Sequence, residues 1–276
     1  MPDTSYEFLT EFFRNYLPFT PTPPQVDDFQ KDLALVSPYL MEAALVEIKE
    51  GKLGKKPECA ADWRPMVFQV YNRKVAEHAQ LFGLFHTFET AFRSTVAVTL
   101  EQHYQHARWW RKIYDELRLG HKARTVKQIG TKTVSSDTAH SIGEIIFAID
   151  GDRFQRNQVG DFVNGFQFVE ACELGHIARL IEDHWDVFSP RFVRGRNRLS
   201  LAHFKIKFKA VREARNDVYH HKSVARMKDV VNHAEDLLDY LDFSLNFVCT
   251  KISGVSPTKL KFSFAIEPRH RSWSQA

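Results

Sequence analysis

Apolar residues recur at helical spacing along most of the chain. Over residues 66–104, Leu81, Phe85, Phe88, Phe92, Val96 and Leu100 follow one another at steps of three and four, with no proline between them. Such a stripe marks a long helix that buries one face. Leu201, Phe204, Phe208 and Val211 repeat the pattern, predicting a helix over Leu201–Tyr219, and another is expected from Met227 to about residue 247. Near the start, Thr4 and Glu7 have capping-box spacing ahead of Phe8, Phe12, Phe13 and Leu17, and Pro18, Pro21, Pro23 and Pro24 then form a stiff turn. A second helical segment runs to about Glu50, and 51–65 reads as a loop. Trp109 and Trp110 open a short helix that ends at Gly120. Residues 120–165 carry repeated glycines and predict turns and short helices, one of them over 142–149. Helical spacing returns over 166–185, and Arg191–Arg198 reads as a basic loop. Past Lys251 the period changes to two, with Leu260, Phe262, Phe264 and Ile266 alternating with other residues, as in a short strand or a docking arm.

The fold class is therefore mainly α, a helical bundle with extra N-terminal helices. Residues 1–65 read as an N-terminal helical extension, 66–250 as the helical domain and 251–276 as a tail or arm. The 276 residues are 43% apolar and 26% charged, which excludes global disorder, and 23 phenylalanines can fill a sizeable core. Three dispersed cysteines without a CxxC argue against a disulfide scaffold or a cysteine zinc site. Asp3, Glu7 and Glu11 stand where an export signal would be basic and then apolar. The clean apolar run 145–149 is far short of a membrane span of about 20 residues. The expectation is a soluble, cytoplasmic protein that does not enter membranes.

The net charge of +4 conceals an asymmetry. Residues 191–222 hold ten basic side chains and only Glu213 and Asp217 as acids, a local charge of +8, so the rest of the chain carries −4. Clustered cations suit a polyanion, because each neutralised phosphate releases counterions. Arg194, Arg196 and Arg198, set in an acid-free stretch with Phe192, are candidate RNA contacts.

In the helix that follows, the stripe Leu201, Phe204, Phe208, Val211 continues to positions 215 and 218. Arg215 thus stands where an apolar residue is due, and a guanidinium there needs a partner because it cannot lose its proton. Glu89 and Asp217 are the candidate partners. Arg212, Asn216 and His220 are spaced i, i+4, i+8 beside it. A fixed cation, an amide and an imidazole in mutual reach suit phosphodiester cleavage. The imidazole can move the 2′-OH or leaving-group proton, and the guanidinium can stabilise the charge that builds on phosphorus. Arg212, His221 and Lys222 are further candidate RNA contacts, although a surface ion pair with Glu213 or Asp217 is the alternative for Arg212. His78, His86, His103 and His106 lack a third ligand at useful spacing, so no metal site is expected.

The string Arg215-Asn216-Asp217-Val218-Tyr219-His220 resembles the R-x4-H motif of the HEPN superfamily, in which a polar residue follows the arginine and another helix follows the motif. The run Arg215 to Lys222 looks most like the abortive-infection branch, and Phe88 to Ser94, with Glu89 and Arg93 ahead of Trp109 and Trp110, resembles an upstream Glu-x3-Arg helix of that branch. The likeness covers about residues 70–250. It implies a metal-independent endoribonuclease without a cofactor, and a homodimer in which two motifs face each other across a composite cleft. Arg215 and His220 would be the catalytic pair and Asn216 the orienting residue, with Glu89 and Arg93 in support. It further implies products ending in a 2′,3′-cyclic phosphate and a 5′-OH, and a role in phage defence or as a toxin restrained by an inhibitor or antitoxin. One branch extends the motif to R-x4-H-x-Tyr; here Lys222 stands at that position. A non-catalytic HEPN-like module that binds RNA or protein is the alternative. A purely structural helical scaffold would leave the acid-poor segment and Arg215 unexplained.

Overall fold

The computed structural model describes residues 22–50, 63–152, 158–224 and 226–243. In chain order the helices are α1 (Pro23–Leu33), α2 (Pro38–Lys49), α3 (Trp63–Tyr104), α4 (Arg111–Arg118), α5 (Ser136–Gly151), α6 (Gly165–Glu170), α7 (Leu174–Asp183), α8 (Trp185–Phe188), α9 (Leu201–Tyr219) and α10 (Met227–Tyr240). Two antiparallel two-residue ladders join them, β1 (Gln128–Ile129) with β2 (Lys132–Thr133) and β3 (Val193–Arg194) with β4 (Asn197–Arg198). The architecture is mainly helical.

The 42 residues of α3 form the spine, about 63 Å long at 1.5 Å per residue. Its predicted stripe is the buried face: Leu81, Phe85, Phe88, Phe92, Val96 and Leu100 are all buried. Helices α6, α7, α9 and α10 pack on this part of the spine, and α5 and α4 form a further layer reached through α7. Phe88 and Phe92 meet Phe208 with ring centroids 5.4 and 5.1 Å apart, and Trp185, Phe192 and Phe204 extend the aromatic cluster. A second, smaller cluster (Phe29, Met41, Leu45 and Val67) joins α1 and α2 to the first turns of the same spine.

The polar boundaries follow from capping. Ser135 accepts the Thr138 N–H at 3.0 Å ahead of α5, and Ser200 accepts the His203 N–H at 3.3 Å ahead of α9. The predicted helical segment ending near Glu50 is two helices, because Pro38 opens α2 and holds Ser37 in an extended conformation. Helix α3 begins at Trp63, so Pro65 lies in its first turn rather than in a loop; there its missing N–H has no helical partner to lose. The stretch 166–185 is three helices with breaks around Ala171–Glu173 and at His184. The basic loop at 191–198 is the β3–β4 hairpin, whose turn begins with Gly195 at φ +59. Gly130, at φ +53, turns β1 into β2; a Cβ there would lie 2.0 Å from the Tyr104 carbonyl oxygen. Among the described residues, no helix is long and apolar enough to cross a membrane. Helix α10 ends at Tyr240, with Asp242 at φ +59, rather than running on toward residue 247, and Pro23 and Pro24 open α1 rather than closing the proline turn. The expected helix at 4–17, the proline turn up to residue 21, the loop at 51–62 and the strand at 260–266 lie outside the described residues.

Candidate functional site

Helix α9 ends in a Schellman motif that places the predicted string. Val218 is its last fully buried residue, and His220 is the C-cap. The His221 N–H donates to the Val218 carbonyl at 3.0 Å and the Lys222 N–H to the Asp217 carbonyl at 2.8 Å. His221 takes the left-handed conformation this turn demands, at φ +55, where glycine is usual. The side chains of Asn216, His220, His221 and Lys222 are exposed, so the polar end of the string faces outward beyond the packed part of the helix.

Arg215 lies at the edge of the buried stripe. Ala214, one position earlier, fills the core register between Val211 and Val218. Arg215 Nη2 reaches Glu89 Oε2 at 3.2 Å, across the packing of α9 on the spine, and its side chain is 27% exposed. Between the two candidate partners, this is Glu89. The same carboxylate takes Arg93 on its other oxygen: Arg93 Nε and Nη2 donate to Glu89 Oε1 at 3.1 and 2.6 Å. Arg93 Nη1 in turn donates to the carbonyls of Val169, Glu170 and Cys172, which fastens the pair to the end of α6. The Arg215 guanidinium also lies over the Tyr219 ring at 4.0 Å and donates weakly to Asn216 Oδ1 at 3.4 Å. Its Nε is buried without a hydrogen-bond partner among the described residues. One carboxylate thus anchors two guanidinia, while Arg215 is partly open to solvent and His220 is exposed.

The i, i+4, i+8 row divides. Arg212 is half-buried and turned toward α7, where a Cβ on Gly175 would lie 3.4 Å from its Nη1, while Asn216 and His220 stay on the outer surface. Neither Glu213 nor Asp217 pairs with Arg212; Glu213 pairs with Lys209 at 3.7 Å.

The acid-poor segment is less cationic in space than in sequence. Arg194 pairs with Asp239 at 2.8 Å, Lys205 with Glu182 at 2.8 Å and Lys207 with Asp236 at 2.7 Å. With Lys209 and Arg215, half of its ten cations have a carboxylate partner. Arg198 donates to the Ser189 hydroxyl and Arg191 to the Gln102 amide oxygen, whereas Arg196 and Lys222 are exposed without an ion pair among the described residues.

Two residues outside the predicted set hold the end of the motif. The Ser37 hydroxyl donates to the His221 carbonyl at 3.1 Å, and its backbone N–H donates to the Tyr71 hydroxyl at 3.1 Å, so the α1–α2 corner is tied to the turn after α9. The His221 ring stacks on His78 at 6.1 Å between centroids. His78 is buried, and burial, with His221 beside it, pushes its pKa below the usual histidine value against the opposing pull of the Lys222 backbone. Its imidazole lines a cavity of about 650 Å³ between α2, the spine and Ser223, Val224 and Met227. Tyr219, four residues after Arg215, was readable from spacing; Ser37 and His78 carry no local signal and become visible only when the N-terminal helices fold back.

No family model, curated protein or solved structure matches the chain.

Proposed function

We propose that the chain is a metal-independent endoribonuclease of HEPN type, with Arg215 and His220 as its catalytic pair. The observation that supports this most is the unequal treatment of the two side chains at the end of α9: Arg215 is anchored by Glu89 and Tyr219, while His220 is exposed at the C-cap. Transesterification needs a held cation and a proton carrier open to substrate, and the end of α9 carries one of each. His220 takes the 2′-OH proton, the 2′-oxygen attacks phosphorus, and the 5′-oxygen leaves with a proton returned to it; the phosphate becomes a 2′,3′-cyclic ester. Arg215 holds the non-bridging oxygens as negative charge builds on them, and Asn216 supplies a neutral hydrogen-bonding group to the same phosphate. Glu89 and Arg93 position Arg215 without touching substrate. In a homodimer, two such pairs would share one cleft, and restraint by an inhibitor would suit a role in phage defence or as a toxin.

A second reading has its own support. The Arg215 guanidinium is engaged on three sides, and half the basic segment is already neutralised, which also suits a non-catalytic module that binds RNA or protein. Incubation of the purified chain with RNA in EDTA separates the two. The ribonuclease reading expects 5′-OH and cyclic-phosphate ends from the parent, and at least a hundredfold less product from His220→Ala and Arg215→Ala at unchanged fold. Parent-like cleavage by either variant, or cleavage abolished by EDTA, refutes the assignment.

A further inference from the structure

Ion pairing redistributes the charge of this molecule. Residues 108–132 contain eight Lys and Arg against Asp115 and Glu116, a local charge of +6. Both acids have partners within the segment: Asp115 takes Arg111 at 2.9 Å and Glu116 takes His121 at 2.7 Å. Arg108, Lys112, Arg118, Lys122, Arg124, Lys127 and Lys132 are exposed and have no carboxylate partner among the described residues. The more obvious basic segment at 191–222 has half of its ten cations paired, so the larger unneutralised field lies here.

This field is also shaped. Lys112, Lys122 and Lys127 line an open cleft of about 770 Å³ together with Thr125, Gln128 and the His121–Glu116 pair, whose single carboxylate leaves the three lysines in excess. Its walls are rigidly set. Gly120, at φ +81, ends α4 and starts the turn, Lys127 is held by the Arg124 carbonyl and the Ser136 hydroxyl at 3.1 and 2.7 Å, and Gly143 of α5 sits so close beneath that a Cβ on it would meet Ala123 at 2.6 Å. Thr125 and Gln128 add uncharged hydrogen-bonding groups, no Phe, Tyr or Trp lines the cleft, and its imidazole, His121, is held by Glu116 at 2.7 Å, so it offers phosphate contacts more than base stacking.

We propose that this cleft binds the phosphate backbone of an RNA strand, through Lys112, Lys122 and Lys127, as a sequence-independent docking surface apart from the α9 motif. The elements that carry it pack chiefly on α5, whereas α9 packs on α3, α7 and α10. The choice of RNA rests on the ribonuclease reading; the choice of a phosphate chain rests on the charge.

The test uses the full chain and a fluorescent 2′-O-methyl oligoribonucleotide of about 20 nucleotides, which cannot be cleaved through its 2′ positions. The triple variant Lys112→Gln, Lys122→Gln, Lys127→Gln should bind about tenfold or more weakly at 0.1 M salt. Its plot of log K against log salt should flatten by about 2, from three lost contacts at ~0.7 each. The reversal Lys112→Glu, Lys122→Glu, Lys127→Glu should lose more. Changing Lys205, Lys207 and Lys209 to Gln should cost under about threefold, because those cations are already paired. Parent-like binding by the Gln triple with a native melting curve overturns the proposal, as does a parent that binds no RNA, or that binds polyglutamate as tightly. Cleft-dependent binding by a parent that cleaves nothing supports this surface while ending the ribonuclease reading. Motif-dependent cleavage with binding indifferent to the cleft does the reverse.

Discussion

Glu89→Ala is the sharpest probe of how Arg215 is held. The carboxylate is 14% exposed and serves two guanidinia, with Arg215 at 3.2 Å and Arg93 at 2.6 Å. Removing one partner of a fully buried ion pair costs about 3–5 kcal/mol, because the other charge is left desolvated. Both arginines have an escape. Arg93 keeps its three carbonyl acceptors, and a quarter of the Arg215 side chain already reaches water, so solvent screening cuts the loss to about 2 kcal/mol. For a domain of this size that corresponds to a melting temperature lower by about 4–8 °C. Arg215→Ala alone should cost about 1 kcal/mol, since Glu89 then still has Arg93. A double-mutant cycle in urea should return a Glu89–Arg215 coupling of about 1 kcal/mol, large for a partly exposed pair because the Glu89 carboxylate is mostly buried and is the one ion-pair partner of Arg215 among the described residues. A coupling indistinguishable from zero would refute the claim that Glu89 positions Arg215, and the bridge would then be an ordinary surface contact.

Two further outcomes test the surroundings. His221→Gly should raise stability by about 0.5–1 kcal/mol in urea denaturation, by relieving the left-handed strain at the Schellman turn; a drop would mean that the ring contact with His78 outweighs the strain. His184 is buried, with Nδ1 donating to the Leu180 carbonyl at 2.8 Å and Nε2 accepting from the Tyr104 hydroxyl at 2.6 Å; burial foremost holds its pKa below the ordinary value. The folded chain therefore binds fewer protons here than the unfolded chain. The stability is complete above the unfolded value near 6.5 and declines as pH falls below it, through the depressed folded pKa. Urea midpoints measured from about pH 7.5 to 5 should fall, and His184→Gln should flatten that slope; an unchanged slope refutes the assignment.

The sequence carries different parts of this picture with different clarity. Helices α3, α9 and α10 are legible because their apolar periods run long enough to be unambiguous. The two-residue ladders are not, since a period of two cannot be read from two residues. Arg215 is visible as an intruder in an apolar register, yet the choice of Glu89 over Asp217 needs the packing of α9 on the spine, 126 positions apart in the chain. The charge segment misleads for the same reason. A sum along the sequence counts Arg194, Lys205 and Lys207 as free, but Asp239, Glu182 and Asp236 reach them only after folding, while the cations of 108–132 meet few acids in either view.

The spine belongs to both apolar clusters, and this sets how the molecule comes apart. Among the described residues, its first turns pack through Val67 on the small cluster of Phe29, Met41 and Leu45, and the remainder is wrapped by the main core. A helix resists opening in proportion to what is packed on it, so amide exchange along α3 should form a gradient, fast near Val67 and approaching the global limit by Phe92. The Ser37 link to the His221 carbonyl carries that gradient to the turn after α9. Fraying at the N-terminal end of the spine would slacken the very turn that sets His220, so breathing of a segment far along the chain from the motif becomes a clock for its far end.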